Sequence, residues 1–236
     1  LTHSQCTFVS VQGTYNKIEL ALFNSDKCID IFLRFDVKAS SYLIPLLDEL
    51  LQKNNLKIID LSFVAVDRGP GAFTSLRVTL ATVNGLAFAR QIKMIGISSL
   101  DALNYQIEAS FPKSQRQCAT LICLLNAYNN DVYYSISQQD SRISLVGCKN
   151  IDLLLEDLPT KAAENKTFLI AGNGAEAHRD RIIKKLANRI QFIDPFIGVC
   201  SAESVGVLAY EKWLAGQNIV EQVQPNYLKT QLFAVK

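Results

Sequence analysis

The residues best placed to do chemistry lie at Gly69-Pro70-Gly71, between an apolar run ending in Asp67 and a helix-like stretch from about Ser75 to Arg90. Backbone N–H groups at a strand-to-helix junction can cradle an anion, and the helix dipole adds to the attraction. Glycines there allow positive φ and a close approach. Gly69, Gly71 and Thr74 are therefore the candidate nucleotide-binding residues. The P-loop pattern G-x-x-x-x-G-K-[ST] is absent, and no lysine stands near enough to reach a phosphate. A tight turn with no ligand is an equal reading of the same residues. A second pattern, Gly172-Asn173-Gly174-Ala175-Glu176-Ala177, fits G-x-G-x-x-G/A between a strand and a helix, with Asp194 at the end of the next strand. It makes an NAD-type dinucleotide binder one alternative, although too little chain follows to complete such a domain.

Other chemistry finds no constellation. Only His3 and His178 are present, and no cluster of three or four metal ligands can be drawn. The six cysteines (Cys6, Cys28, Cys118, Cys123, Cys148, Cys200) form no C-x-x-C pair and read as buried, reduced thiols. Cys118 and Cys123 lie on one strand-like run and would face opposite sides. Ser98 and Ser99 read as helix caps. Asp67 and Asp131 read as single acids at turn ends, and Asp152, Glu156 and Asp157 as a solvated face. No paired carboxylates can be assigned to acid–base work. The expectation is therefore no catalytic residue, no metal site and no cofactor held by this chain alone.

The elements that must position these residues alternate between strand and helix. Phe8–Val11, Ile18–Phe23 and Ile29–Phe35 predict a three-stranded meander. Ser40–Asn54 predicts a helix with Leu43, Leu46, Leu47, Leu50 and Leu51 on one stripe, starting late or bending at Pro45. Leu61–Val66 predicts a buried strand, Ser75–Arg90 a helix, Lys93–Ile97 a strand, and Ser98–Ser110 a capped helix. After a polar linker at 111–117, a second strand set follows at Cys118–Leu125, Val132–Gln138 and Arg142–Gly147. Then come a helix at Ile151–Leu158, a strand at Thr167–Ala171, a helix through Ala187, a strand at Ile190–Ile193, and a last helix capped by Ser201 and ended by Gly216. The chain is thus α/β in two similar halves. The expected division is lobe I at 1–110, with the helix at 201–216 packing back on it, lobe II at 111–200, and a tail at 217–236.

The chain has 236 residues, of which 49% are hydrophobic and 19% charged. Ordinary soluble chains carry about 25% charged residues, so the apolar excess asks for a cause. A membrane span is not it, since the longest apolar stretch, Leu76–Ala89, holds Thr79, Thr82 and Asn84. No signal peptide is visible at the first residues, so a cytoplasmic location is expected. The net charge of +2 argues against a dedicated nucleic-acid binder. The basic stretch Arg179–Lys185 reads as a solvated helix face. The helix at 75–90 is more informative. Within it only Arg77 and Arg90 are charged, and Ala81, Gly85 and Ala89 form a small-residue row. Apolarity nearly all round predicts burial from more than one side. The sharper reading is a subunit interface made with the leucine helix. Its expected residues are Leu43, Leu46, Leu47, Leu50, Arg77, Leu80, Ala81, Asn84, Gly85 and Phe88.

The segment "DRGPGAFTSLRVTLATVNGLAFA" at Asp67–Ala89 resembles the GPG-S-F-T-G-L-R helix of the bacterial TsaB (YeaZ) family. "IGISSLDAL" at Ile95–Leu103, "NAYNNDVYYSIS" at Asn126–Ser137, "AGNGA" at Ala171–Ala175 and "QPNYLK" at Gln224–Lys229 are similar to further family segments. The resemblance implies a two-lobed actin/Hsp70-like (ASKHA) fold, each lobe a mixed sheet with flanking helices. It implies a non-catalytic subunit in making threonylcarbamoyladenosine next to the tRNA anticodon. The implied partners are a metal-binding catalytic paralogue (TsaD-like), an ATPase (TsaE-like), and tRNA through the complex, with ATP or ADP at the complex interface. The implied pairing uses the helices at Ser40–Leu51 and Ser75–Arg90, which a homodimer could also use. The chain departs from the family at Gln12-Gly13, where Asp-Thr is usual, at Ala72 and Ser75 in the loop, and at Asn126 and Tyr128. These changes argue against independent nucleotide binding. A stand-alone ATP-binding phosphotransferase or ATPase of the same fold remains the alternative built on the Gly69–Gly71 loop.

Overall fold

The meander forms as β1 (Thr7–Gln12), β2 (Lys17–Asn24) and β3 (Lys27–Phe35). The structure is a computed structural model that describes residues 6–111, 119–138, 145–161 and 167–229. His3, Cys118, most of the expected linker and the end of the tail lie outside the described residues. After β3 come α1 (Ala39–Lys53), β4 (Phe63–Asp67), α2 (Phe73–Arg90), β5 (Lys93–Ile97) and α3 (Ser99–Ser110). A second set follows as β6 (Ala119–Asn126), β7 (Asp131–Gln138), β8 (Leu145–Asn150), α4 (Ile151–Lys161) and β9 (Thr167–Ala171). The chain then runs through α5 (Asn173–Ala177), α6 (Arg179–Leu186), β10 (Ile190–Phe192), α7 (Ala202–Leu214) and β11 (Ile219–Val220).

Backbone contacts divide the chain into two compact units. One holds residues 1–102 with 200–226, the other 103–199 with 227–236. The sheet orders are β11-β5-β4-β1-β2-β3 and β10-β9-β6-β7-β8. Setting β11 aside, the two orders are the same pattern: an antiparallel meander whose first strand pairs in parallel with the strand that follows the next helix. The repeat of elements expected from the sequence is therefore a repeat of topology, as a fold of two mixed sheets with flanking helices requires.

In the first unit, β4 reads Phe-Val-Ala-Val-Asp and is buried along its whole length, as a parallel strand covered on both faces must be. One sheet face meets the apolar stripes of α1 and α2. Leu43, Leu46, Leu47, Leu50 and Leu51 of α1 and Leu76, Leu80, Val83 and Ala87 of α2 join Val9, Val11, Leu20, Val64 and Val66 in one core. Pro45 lies within α1 without ending it. Asn54 closes α1, and Gln91, in the left-handed region at φ 54°, closes α2.

The other face of that sheet carries an aromatic ladder that the sequence reading did not identify. Phe8 stacks on Phe23 at 4.8 Å and on Phe63 at 4.3 Å, and Phe63 stacks on Trp213 of α7 at 4.7 Å. Ser201 caps α7 by accepting from the Ser204 N–H at 3.0 Å, and Gly216 follows its end at φ 64°. The carbonyl of Ala202 accepts from Ser10 of β1 at 2.6 Å, which locks the start of α7 to the centre of the sheet. Gly206 lets α7 sit down on this ladder.

In the second unit the segment expected as one helix, after Gly172-Asn173-Gly174 and through Ala187, is two. It breaks at His178, which leaves helical geometry at φ −120° and ψ 20°. Strand β8 runs beyond the expected end at Gly147 to Asn150, and the first residues of the expected Arg142–Gly147 fall outside the description. Arg181 and Lys185 pair with Asp152 and Glu156 of α4 at 3.3 and 3.4 Å, all on exposed side chains. The basic stretch is thus a solvated face of surface ion pairs, each worth under about 1 kcal/mol. At the tail, Lys229 donates to the Ala127 carbonyl at 3.2 Å and pairs with Asp131 at 2.7 Å.

A Cβ at position 206 would overlap the Phe23 ring. Gly206→Ala is expected to lower stability by about 1–3 kcal/mol, read as a reduced midpoint in urea unfolding. An unchanged midpoint would mean that α7 does not rest on the ladder as described.

Candidate functional site

Asp67 ends β4 as the sheet stops, with its side chain fully buried. Four donors converge on its carboxylate. The Ser99 hydroxyl donates to Oδ1 at 2.5 Å and the Gly69 N–H to the same oxygen at 2.9 Å. Thr14 donates to Oδ2 at 3.2 Å and the Cys200 thiol at 3.7 Å. The four come from the turn after β1, the Gly69–Gly71 loop, the start of α3 and the segment before α7. Burial pushes the Asp67 carboxyl above the usual carboxylate range, against these hydrogen bonds, which pull it back. Burial also raises the Cys200 thiol well above its ordinary value, and the neighbouring Asp67 charge adds to that. Cys200 is therefore held as a thiol and is no nucleophile.

The sequence reading took Asp67 for a lone acid at a turn. The available signal was its place at the end of an all-apolar strand, immediately before Arg68-Gly69-Pro70-Gly71. An acid that ends a fully buried strand cannot reach water, so its partners must come from the loops around it.

Those loops close on one another. Gly69 takes φ +92°, and the Gly69–Pro70 peptide is cis. Its carbonyl accepts from the Ser99 N–H at 2.9 Å. A Cβ on Gly71 would come within 3.1 Å of the Thr14 side chain, a tight contact that would make Thr14 give way. Tyr15 N–H donates to the Ser75 hydroxyl at 3.1 Å, and Thr79 donates to the Gly13 carbonyl at 2.8 Å. Gln12 turns its amide inward and donates to Thr14 at 2.8 Å. Of the three candidate nucleotide residues, Gly69 and Gly71 are built into this junction, and Thr74 stands exposed in the first turn of α2. That turn has no capping side chain and no acidic residue, so its amides keep some capacity for an anion.

The glycines of the second pattern also serve packing. Gly172 and Gly174 lie so close to the β6 backbone at Leu124 and Leu125 that neither has room for a Cβ. Gly172 and Asn173 donate their N–H groups to the carbonyls of Ile197 and Gly198. Amides that a pyrophosphate would need are thus already engaged, and the pattern gives no support to a dinucleotide site.

The expected interface residues separate into two groups. Leu43, Leu46, Leu47, Leu50 and Leu80 turn into the core of their own unit and offer no surface to a partner. An amphipathic stripe of leucines satisfied by the sheet beneath it is enough to explain them. Asn84 is half-buried and exchanges two hydrogen bonds with the Val223 backbone, at 3.0 and 2.9 Å, pinning the chain after β11 to α2. The rest do face outward. Phe73, Arg77, Ala81, Gly85 and Phe88 line the outer side of α2, with Phe88 85% exposed. The expectation that α2 is buried from several sides is corrected: one face is buried and the other is open and apolar. Arg77 lies over the Phe73 ring at 3.8 Å. A Cβ on Gly85 would touch nothing within 4 Å. No demand of the chain's own packing calls for a glycine there, although glycine in a helix costs about 1 kcal/mol relative to alanine.

The family described as TsaD, tRNA N6-adenosine threonylcarbamoyltransferase, matches residues 38–230. The chain belongs to this family. Among relatives named tRNA threonylcarbamoyladenosine biosynthesis protein TsaB, that of Haemophilus influenzae is 33% identical over 93 residues. This match covers 39% of this chain and 37% of the relative, so the chain spans little more than a third of that protein. The Escherichia coli TsaB is 22% identical over 190 residues, 79% of each chain. The solved YeaZ of Pseudomonas aeruginosa superposes with a TM-score of 0.73 at 21% identity, over 94% of this chain and all of that one. That likeness shows the fold, and the TsaB (YeaZ) resemblance read from the sequence stands within the family. Among the described residues no group of three or more metal-ligating side chains occurs, and no helix is long and apolar enough to cross a membrane.

The raised carboxyl fixes a sign. Between the unfolded value of about 4 and its higher folded value, Asp67 holds more proton in the folded chain than in the unfolded one. Its contribution to stability therefore falls as pH rises through that window and levels off above it. Asp67→Asn sets an amide donor against these donors and is expected to lose about 1–3 kcal/mol at acid pH. The loss should shrink toward neutral pH, because only the wild type carries the falling term. Urea unfolding of both chains across pH 4–7 checks this, and a difference that does not vary with pH would remove Asp67 as the titrating group.

Proposed function

We propose that the chain is an accessory subunit for forming N6-threonylcarbamoyladenosine in tRNA, and that it acts by docking the outer face of α2 on a catalytic, metal-binding paralogue of the TsaD kind. The observation that carries this reading is the open row Phe73, Arg77, Ala81, Gly85 and Phe88, with empty space above Gly85. Small residues at four-residue spacing let a second helix approach closely, and the flanking aromatics supply area to bury. Arg77 stacked on Phe73 is a preformed anchor of the type that dominates binding energy. The family membership supplies the chemistry, and the names of the TsaB relatives supply the step.

In this proposal the chain contributes no catalytic residue. Of its buried acids, Asp67 is consumed as an acceptor at the loop junction and Glu19 by Lys17, and the Cys200 thiol is raised by burial. ATP or ADP belongs to the assembled complex, because Gly69 and Gly71 are closed against Asp67 and Thr14. An ATPase of the TsaE kind and the tRNA join through that complex, in keeping with Arg181 and Lys185 of α6 being paired to acids of α4 and Arg179 to Glu176. The setting is cytoplasmic.

Gly85→Trp adds bulk to the outer face of α2 at a position where a Cβ meets nothing within 4 Å. The variant is expected to fold with unchanged thermal stability or slightly more, to bind the paralogue about 100-fold or more weakly, and to lose modified nucleoside in a reconstituted reaction. Phe88→Ala is expected to cost about 2 kcal/mol of binding, read by titration calorimetry. Full binding and full modification by Gly85→Trp would show that α2 is not the docking face.

A further inference from the structure

Two stretches singled out in the sequence, Asn126–Ser137 and Gln224–Lys229, lie about a hundred residues apart, and Lys229 joins them in the second unit. Its ammonium donates to the Ala127 carbonyl at 3.2 Å and pairs with Asp131 at 2.7 Å, which sets residues 227–229 against the turn between β6 and β7. Within that turn Tyr128, Asn129 and Asn130 take three successive left-handed conformations, at φ 59°, 54° and 63°. Asparagine visits this region readily, but a bulky side chain does so only at a cost. The surroundings hold Tyr128 there. Its N–H donates to Asn126 Oδ1 at 2.9 Å, the Asn126 N–H donates to Asn173 Oδ1 at 2.9 Å, and the Tyr128 carbonyl accepts from the Asp131 N–H at 2.9 Å. A turn that only joined two strands would take asparagine or glycine at position 128 at lower cost. Burial does not offset that cost, since Tyr128 is 54% exposed.

We propose that this loop cluster binds an unpaired base of the tRNA, stacked on the Tyr128 ring, with Tyr227, itself 50% exposed, as the second aromatic of the contact. The neighbouring groups suit a base edge. Asn129 and Asn130 are exposed and carry amide donors and acceptors. An ammonium has three N–H donors, and Asp131 and Ala127 take two of those on Lys229. Charge decides which part of the RNA fits. Asp131 offsets Lys229, and Lys149 on the adjoining strand is paired with Asp157, so the cluster lacks the free cations that a phosphate backbone calls for. Rings and amides are the groups that read unpaired bases. A protein partner would want contiguous apolar area around the tyrosines, and the exposed residues beside Tyr128 are asparagines. The contact presupposes the role in tRNA modification proposed above and adds to it a surface of this chain that meets the RNA directly.

Fluorescence anisotropy of labelled tRNA, titrated with the full chain bound to its catalytic paralogue, tests this. Tyr128→Gly removes the ring and relieves the backbone. It is expected to weaken tRNA binding about tenfold while the urea midpoint of the chain stays level or rises. Tyr227→Ala is expected to weaken binding about threefold. Tyr128→Phe keeps the stacking ring and is expected to bind within about twofold of the wild type. The slope of affinity against salt should not change in any of them, because no phosphate contact is lost. Affinity for the paralogue, measured by calorimetry without tRNA, should also be unchanged. Ultraviolet crosslinking of the full chain to tRNA, with and without the paralogue, should mark the peptide that holds Tyr128. Wild-type tRNA affinity in Tyr128→Gly would overturn the proposal, as would an equal loss in Tyr128→Phe or a lowered urea midpoint in Tyr128→Gly, which would give the residue to the fold. Weaker binding of the paralogue by Tyr128→Gly would make the contact a protein one and overturn it too. A chain that does not bind the paralogue at all would refute the docking of α2, and crosslinking of the chain alone then decides: a mark at Tyr128 upholds the base contact and its absence overturns it.

Discussion

A carboxylate with no water around it must be met by donors from the protein, and Asp67 is met by four. Each comes from a different stretch of chain, so one buried acid ties the β1 turn, the glycine loop, the start of α3 and the approach to α7 to the end of the central strand. Unpaired buried polar groups cost more than paired ones return. The network therefore works as a constraint: the four segments must arrive together or not at all. Its consequence for function is indirect. By fixing the loop that launches α2, it fixes the direction in which α2 presents its outer face.

That outer face takes no part in the core of its own unit. The sheet beneath α2 takes Leu76, Leu80, Val83 and Ala87, and the Val223 backbone takes Asn84. What remains outside is aromatic, small and nearly uncharged, with a glycine whose absent side chain leaves real space. The same closure that orients α2 also fills the glycine loop with Thr14 and engages the Gly69 N–H. The glycine loop is used here to hold the end of the sheet together. That fits a subunit whose contribution is a surface.

The fold was largely legible in the sequence because its signals are local. The meander shows as alternation, the leucines of α1 as helical spacing, and the Ser201 cap and Gly216 stop as end signals. The site was legible only in part. The small-residue row on α2 marks a face that is open in the structure, yet Leu43, Leu46, Leu47, Leu50 and Leu80 were assigned to the partner when the sheet already claims them. One apolar stripe looks the same whether it meets its own core or another chain, and only tertiary packing separates the two. The Asp67 junction and the Phe8–Phe63–Trp213 ladder were missed for a related reason. Their members are separated by long stretches of sequence, so no window contains the pattern. The Gly172–Ala177 motif, kept only as an alternative because too little chain follows it, has glycines spaced for a dinucleotide loop that serve the close packing of α5 on β6.

The central claim is that α2, and no other exposed apolar surface of the chain, meets the catalytic paralogue. The direct measurement is site-specific photo-crosslinking with a benzophenone side chain placed at position 81, on the outer face of α2, or at position 183, where Ile183 is exposed on α6. Mixed with the paralogue, the chain labelled at position 81 should crosslink to it efficiently, and the chain labelled at position 183 should not. Crosslinking from position 183 with none from position 81 would contradict the account.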